Sequence, residues 1–549
     1  METLGQDLET MRRVPLAPEH VAAICDIGGE RVYEAGEIVS DIGDPMDTFT
    51  YILDGEIEVV DPHTGDRMLP STLGPTQFMG EIGFLNRSTN IMRMRAAVDT
   101  RVIEAPREAM LALMSRVPEL SDHIITVFAA RRRRQFEANN DTIKVIGADR
   151  DPQVQAVERF LSRNRIPFQS YDIDATDRET VQVCSLIGHE PAVILGAKNR
   201  LADPTPRKVA QYLGLDLDIC AQRTYDLLIV GGGPAGVAAA VYAGSEGIEA
   251  LVIEDTAIGG QAGTSSRIEN YMGFPTGISG TDLTWRGQVQ AMKFGTRFVM
   301  PRRIEAMSQR ADGAFCATLD SDGSGGDEIC ARAVLVATGV QYRRLPLANL
   351  EELEGAGVFY SATEMEARFC SNTEVVVIGG GNSAGQAAMF LSRSARHVHL
   401  VVRSGSLAAS MSSYLSQRLE ADPRVTIHYH SEVTALDGEK WLESITLKTG
   451  GDTGDSDQRI ATRALFIMIG AAPNTGWLSG LAATDSKGFV LTGAAADQAD
   501  DYATTAPGIF AVGDVRAGSV KRVASAVGEG SVVVSRIWQY LEDTRLAET

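Results

Sequence analysis

The sequence predicts a multidomain chain: an antiparallel β-roll, a small α/β unit, and two larger α/β units, one inserted in the other. Three observations carry this over its 549 residues. Two glycine clusters, Gly231-GGPAG and Gly379-GGNSAG, each follow an apolar strand and open an alanine-rich helix. Short β-type runs broken by Gly-Asp and Asp-Gly turns fill residues 30–105. Between these regions, strand and helix patterns alternate over about eighty residues, the signature of α/β packing.

Taken in order, residues 106–137 are helical in pattern and end in Arg131–Arg134, a basic run expected at a solvated helix end. Glu137-ANND reads as a linker. There follow a strand TIKVIGA, a helix from Pro152 to Asn164, a strand PFQSYDID, a helix near Arg178 to Ile187 and a strand PAVIL. That unit ends at about Ala221. The expected domains are 1–137, 142–221, 222–345 with 465–549, and 346–464.

Composition narrows the function. The net charge of −21 argues against a nucleic-acid binder working through a basic surface. No apolar run reaches the roughly 18 residues of a membrane-spanning helix. The start, METLGQDLETMRR, has no signal-peptide apolar core, so a cytoplasmic location is expected. The six cysteines, Cys25, Cys184, Cys220, Cys316, Cys330 and Cys370, include no C-x-x-C for a metal or a redox dithiol. Cys316 and Cys330 would face each other in a hairpin centred on Gly323; a cytosolic chain favours a buried reduced pair over a disulfide.

The first glycine cluster has the context its chemistry needs. In Gly231-x-Gly233-Pro234-Ala235-Gly236 the first glycine permits a tight turn and the second lets the backbone approach a diphosphate. The third allows close helix packing, and the helix N-terminus supplies positive potential. Glu254 ends the next strand, where a carboxylate holds ribose hydroxyls. In the second cluster Gly379-x-Gly381-Asn382-Ser383-Ala384 keeps the turn, but Val402 stands where Glu254 does, followed by Arg403 and Ser404. An acid there would repel a 2′-phosphate and an arginine pairs with it, which favours NADPH over NADH. The alternative for Arg403 is a surface residue with no ligand.

With these motifs in place, residues 222–549 resemble the thioredoxin reductase-like flavoproteins of the pyridine nucleotide–disulfide oxidoreductases. Gly259-GQAGTSSRIENYMGFP, Val336-ATG, Ile469-GAAPNT, Gly508-IFAVGDV and Lys521-RVASAVGEG carry the resemblance in order. It implies two Rossmann-like dinucleotide-binding domains, FAD and NADPH as cofactors, and a homodimer. It places Glu254 to Gln261 (with Gly260), Asn270, Gly513, Asp514 and Arg522-Val523-Ala524 around FAD. The family's redox C-x-x-C falls at Ala362, Thr363, Glu364 and Met365, and its acid at Glu366; alanine and methionine carry no electrons as a dithiol. Cys370 comes five residues too late and reads as a packed or idle thiol.

Upstream, Glu34-AGEIVSDIGDPMDTFTYILDGEIEVV and Leu73-GPTQFMGEIGFL are similar to cyclic nucleotide-binding domains. The resemblance makes Glu81, after Gly80, a candidate for a nucleotide effector's ribose hydroxyl. Matching Arg95-Ala96 to the family's Arg-Ala puts Asn90 where a phosphate-binding arginine is expected, with Arg87 and Arg93 as off-position substitutes. The alternative is a β-roll kept for docking or dimerisation. Residues 142–220 resemble a glutaredoxin- or thioredoxin-like fold, with His189-EPAVIL as the cis-proline strand and a cysteine-less turn at Ala148-DRDPQ.

The expected function is an NADPH-dependent FAD oxidoreductase with no catalytic side chain of its own. It would pass electrons from the flavin to an external acceptor: a quinone, oxygen, a ferredoxin-type carrier or a protein disulfide. Two alternatives stay open: a thioredoxin-disulfide reductase working with partner cysteines, and an FAD- and NADPH-binding sensor with little turnover.

Overall fold

The computed structural model describes the chain except residues 1–14, 63, 138–142, 149–150, 175–190, 196–198, 217–222, 266–267, 269, 321–326, 355, 361, 363–365, 368–369, 409–410, 439–440, 451–455, 479 and 549. After α1 (Pro18–Cys25) come six strands: β1 (Gly29–Tyr33), β2 (Ile38–Ser40), β3 (Thr48–Asp54), β4 (Ile57–Val60), β5 (Arg93–Ala96) and β6 (Thr100–Pro106). They form two antiparallel sheets, β1–β6–β3 and β2–β5–β4. The one-turn helix α2 (Gly83–Asn86) sits between β4 and β5 in sequence.

The expected helix over 106–137 is two helices, α3 (Arg107–Arg116) and α4 (Pro118–Glu137). Pro118 forces the break, because the residue before a proline is driven out of the α region, and Val117 takes φ −123° and ψ 88°. The expected solvation of the arginine run also needs correction at its first residue. Arg131 is half-buried, donates to the Gly80 carbonyl at 2.9 Å and lies 5.0 Å from the Phe78 ring centroid. An aromatic face next to a guanidinium gives that cation a partner inside the protein. The side chains of 132–134 lie outside the described residues.

The second unit is a four-stranded sheet. β7 (Ile143–Gly147) pairs in parallel with β8 (Gln169–Asp172) and antiparallel with β9 (Ala192–Leu195), which carries β10 (Asn199–Ala202) at the edge. Between β7 and β8 runs α5 (Pro152–Arg163). The Asp151 carboxylate accepts from the Gln153 amide at 2.8 Å and Pro152 takes the first helical position, both strong helix-start signals. α6 (Pro206–Tyr212) closes the unit. The helix expected near 178–187 and the His189–Glu190 approach to Pro191 lie outside the described residues.

The larger half holds two nested units. Strands β11 (Thr224–Val230), β12 (Ala250–Ile253), β13 (Arg297–Val299), β14 (Ile304–Gln309), β15 (Phe315–Leu319) and β16 (Glu328–Val336) lie in the order β13–β12–β11–β16–β15–β14. The neighbours β13–β12–β11–β16 are parallel and the last three strands form an antiparallel meander. α7 (Pro234–Ser245) packs on this sheet and α8 (Gly280–Lys293) packs against α7. The chain leaves through β17 (Val340–Tyr342), enters the inserted unit, and returns.

The inserted unit contains α9 (Leu350–Leu353), β18 (Val358–Phe359), β19 (Glu374–Ile378), α10 (Asn382–Leu391), β20 (His397–Val401), α11 (Ser413–Ala421), β21 (Val425–His428), the antiparallel β22 (Ser431–Asp437), β23 (Ser444–Thr449) and β24 (Ser456–Ala461), and β25 (Ala464–Ile467). Its parallel sheet runs β18–β25–β19–β20–β21. β26 (Ala471–Pro473) pairs with β17 at the return, β27 (Ile509–Ala511) rejoins the first sheet beside β16, and α12 (Val523–Glu548) ends the chain. Among the described residues no helix is long and apolar enough to cross a membrane.

The expectation of reduced thiols at Cys316 and Cys330 is overturned: the two are joined in a disulfide. They are direct register partners of β15 and β16, with Cα atoms 4.1 Å apart, and both are buried. Facing positions of an antiparallel pair put both side chains on one face at close range, which brings the sulfurs together. The strand register outweighs the expectation drawn from the compartment. The turn around Gly323 lies outside the described residues.

The N-terminal roll and the first dinucleotide unit share one apolar core. A continuous cluster runs from Phe49, Phe84 and Phe128 of the roll to Leu227, Val252, Phe298 and Ile537. The Asn86 side chain docks the roll onto the edge strand β13, donating to the Phe298 carbonyl and accepting from its amide, each at 3.1 Å. Arg107 fixes α2 from behind by donating to the carbonyls of Phe84 and Leu85.

Candidate dinucleotide sites and the family

The first glycine turn connects β11 to α7 at the carboxyl edge of the parallel sheet, where open α/β sheets bind ligands. Gly231 takes φ +106°, and a Cβ there would run into the Ala337 backbone of the strand-end Val336-ATG segment. A Cβ at Gly236 would overlap the Gly231 carbonyl, so α7 starts as close to the turn as backbone allows. Gly233 has open space on its Cβ side, and Pro234 begins the helix. Ala235 and Gly236 are buried in the first turn of α7, where helix amides have no intrahelical partner and a helix start suits an anion.

Glu254 follows β12 and is buried. Its carboxylate accepts from the amides of Gly232 at 2.7 Å, Thr256 at 3.1 Å and Ala257 at 3.4 Å. Burial, reinforced by the charge of Asp255, pushes its carboxyl up to about 8, while the Gly232 amide and the charge of Arg163 act the other way. Gly260 packs its backbone against Gly233, and Gln261 donates to the Val340 carbonyl at 2.8 Å, tying the 254–261 loop to the exit strand β17.

On the far side, the Gly513 amide donates to Glu529 at 2.7 Å, and Glu529 also takes Arg516 at 2.9 Å. Asp514 is half-buried; its burial raises its carboxyl and the nearby Lys521 opposes that shift. Arg522 and Ala524 are exposed at the start of α12, with Val523 half-buried between them. The structure thus gathers the Gly231 turn, Glu254, Gly260 and Gln261 into one cradle. Asn270 is exposed in the turn between Ile268 and Ile278.

The second turn repeats the plan. Gly379 takes φ +141° where a Cβ would overlap the Met468 carbonyl. Gly381 precedes α10, whose first residues are the exposed Asn382 and Ser383 and the buried Ala384. Asn382 accepts from the Ser412 amide at 2.8 Å. Val402 is buried after β20, and Arg403 and Ser404 are exposed beside it, with the Ser404 hydroxyl on the Ser406 carbonyl at 2.8 Å.

At the family's redox position Ala362 is buried in the core of the inserted unit; Thr363, Glu364 and Met365 lie outside the described residues. Glu366 is buried. Cys370 is fully buried, its thiol donates to the Glu366 carbonyl at 3.2 Å, and burial pushes it up to about 12. A thiol so placed stays protonated and unreactive at neutral pH. The disulfide at Cys316–Cys330 lies at the opposite end of β16 from Ala337, about 20 Å away at the rise of an extended strand.

In the N-terminal roll Glu81 is buried and accepts from the Gly83 amide at 2.8 Å. Asn90 donates weakly to the Asp44 carbonyl at 3.3 Å. Arg87 is held by two bonds to Asp47, at 2.7 and 3.1 Å, and Arg93 by two to Asp41, at 2.8 and 2.6 Å. Sequence reasoning missed the contacts that join the modules: Asn86 on Phe298, Arg163 on Gly260, and the buried Arg302. A lone asparagine or arginine at a helix end carries no local signal of a distant partner.

Two Rossmann-like units, one inserted in the other and each with a glycine turn between its first strand and helix, define a protein with two dinucleotide-binding folds. Comparison with known proteins agrees. Residues 225–530 match the pyridine nucleotide–disulphide oxidoreductase family and residues 30–117 match the cyclic nucleotide-binding domain. The chain belongs to the pyridine nucleotide–disulphide oxidoreductases, and the cofactors of its thioredoxin reductase-like branch are FAD and NADPH.

The thioredoxin reductase of Listeria innocua is 33% identical over 327 residues, 59% of this chain and 97% of that protein. That of Treponema pallidum is 34% identical over 318 residues, 58% of this chain and 97% of that protein. Among solved structures, thioredoxin reductase of Lactococcus lactis superposes with a TM-score of 0.53 at 28% identity, covering 58% of this chain and all of that one.

Proposed function

We propose that this chain is an NADPH-dependent flavin oxidoreductase that delivers electrons to an acceptor outside itself without a resident dithiol. When bound, FAD supplies the chemistry, taking hydride from NADPH and releasing electrons to a quinone, oxygen, a ferredoxin-type carrier or a protein disulfide. The residues around it bind and orient. The Gly231 turn and the start of α7 receive the diphosphate, Glu254 the ribose, and Asp514 the ribitol side. The Gly379 turn receives the second dinucleotide, with Arg403 at its 2′-phosphate. The observation that carries the reading is Cys370: the lone cysteine of residues 346–464 is buried and held protonated.

The test is anaerobic reduction of the holoprotein with NADPH, followed by rapid mixing with each class of acceptor. Prompt reoxidation by one of them is expected. Negligible flavin reduction by NADPH would instead make the chain a sensor. Arg403→Ala should narrow the NADPH over NADH preference by about tenfold, the size of a lost charge-assisted contact. An unchanged ratio would remove Arg403 from the site.

The second unit supports a thioredoxin-like reading through its sheet order, a parallel β7–β8 pair continued by antiparallel β9 and β10. The N-terminal roll serves as a regulatory or docking module. Cyclic AMP and cyclic GMP should bind it weakly or not at all. Asn90 brings no charge, and Arg87 and Arg93 are already engaged by carboxylates in two-bond pairs. Micromolar affinity by titration calorimetry would refute this.

A further inference from the structure

The corner that ends α5 meets the first dinucleotide unit with three successive side chains. Arg163 donates to the Gly260 carbonyl at 3.0 Å, and Asn164 reaches the Thr256 carbonyl at 3.4 Å. Arg165 pairs with Asp282 at the start of α8 and lies 5.4 Å from the Trp285 ring centroid. Gly260 and Thr256 belong to the loop that follows Glu254, so the second unit grips that loop directly.

Its other end is seated on the same strand edge. The Leu215 carbonyl accepts from the Met300 amide at 3.2 Å, and Asp216 accepts from Arg302 at 3.0 Å, both side chains almost wholly buried. The Arg302 amide in turn donates to the Glu254 carbonyl at 2.8 Å, and the Glu254 amide to the Val299 carbonyl at 3.1 Å. The backbone at Glu254 is therefore held from two sides by contacts that lead to the second unit.

Charge points the same way. Glu254 is buried next to Asp255, and a dinucleotide diphosphate adds further negative charge at α7. Backbone amides meet the carboxylate, and Arg163, supplied by another unit, is a full positive charge that favours its ionised form. A single donor at a half-buried site suits any cation that reaches, so lysine should substitute there.

We propose that the second unit is a fixed wall of the FAD site, in which Arg163 is a positioning residue that holds the Glu254–Gly260 loop for the adenosine half of the cofactor. This deepens the function proposed above and rests on the Gly231 turn being the FAD site. It gives a unit that has no cysteine in its expected active-site turn a role that needs none.

The test compares the full-length wild type with Arg163→Ala, Arg163→Lys and Arg165→Ala, measuring FAD dissociation constants from the fluorescence of released flavin. Arg163→Ala should weaken FAD about tenfold, and Arg163→Lys should stay within about threefold of wild type. Arg165→Ala, which loosens docking without touching the loop, should also stay within about threefold while lowering thermal stability. Binding of 2′,5′-ADP at the second site should be unchanged throughout. Wild-type FAD affinity in Arg163→Ala, or equal weakening in Arg163→Ala and Arg165→Ala, would overturn the assignment. A wild type that takes up no FAD at all would instead sink the reading of the first glycine turn.

Discussion

Supplied with NADPH and thioredoxin, the holoprotein should turn over no faster than background, and anaerobic titration should end at one equivalent of NADPH per FAD. Thiol exchange needs an attacking thiolate. Cys370 is fully buried and its thiol is pushed up to about 12, so its thiolate is scarce at neutral pH. Cys330, bonded to Cys316 of β15, sits at the end of β16 away from the Gly231 turn. Cys370→Ser should accordingly leave both stoichiometry and flavin reduction rate unchanged. Placing cysteines at both redox positions, by Ala362→Cys with Met365→Cys, would create activity only if the inserted unit turns relative to the sheet that carries it. Robust wild-type thioredoxin turnover that vanishes in Cys370→Ser would mean that a single buried cysteine carries the reaction.

The second large effect is expected at Arg302. Its guanidinium donates to Asp216 at 3.0 Å and to Asp327 at 2.7 Å, and Arg207 shares Asp216 at 3.2 Å. Removing one partner of a buried pair strands the other's charge, at a cost of about 3–5 kcal/mol. Arg302→Met should therefore bring the first thermal transition down sharply, with Arg302→Lys intermediate. In a chain of several units this transition reports the local unit rather than the whole molecule. If Asp216 is the partner that matters, Asp216→Asn combined with Arg302→Met should cost less than the two changes summed. Strict additivity would assign the effect to Asp327 or to packing alone.

Where function was legible in the sequence, it was legible because a local pattern encodes it. The glycine turns could be read because the positive φ at Gly231 and Gly379 and the overlap of a Gly236 Cβ with the Gly231 carbonyl are facts confined to a few residues. The facing of Cys316 and Cys330 was equally readable from the hairpin, but compartment is a weaker guide to their oxidation than the closeness of facing strand positions. The contacts that unite the modules left no trace. Asn86 meets Phe298 across 212 positions and Arg163 meets Gly260 across 97, and no periodicity links residues so far apart. Arg131 was misread for a related reason. A run of arginines suggests solvent until a ring such as Phe78 is known to lie beside it.

The Asn86–Phe298 clasp also has a bearing on how the chain is made. At about 5–20 residues per second, on the order of 10–40 s pass between synthesis of the asparagine and of the strand it clasps. Throughout that interval the roll's docking face, including aromatic side chains that end in the shared core, has no partner to cover it. Newly made chains should thus be most exposed to holdase chaperones and to aggregation in a window that closes only when β13 leaves the ribosome.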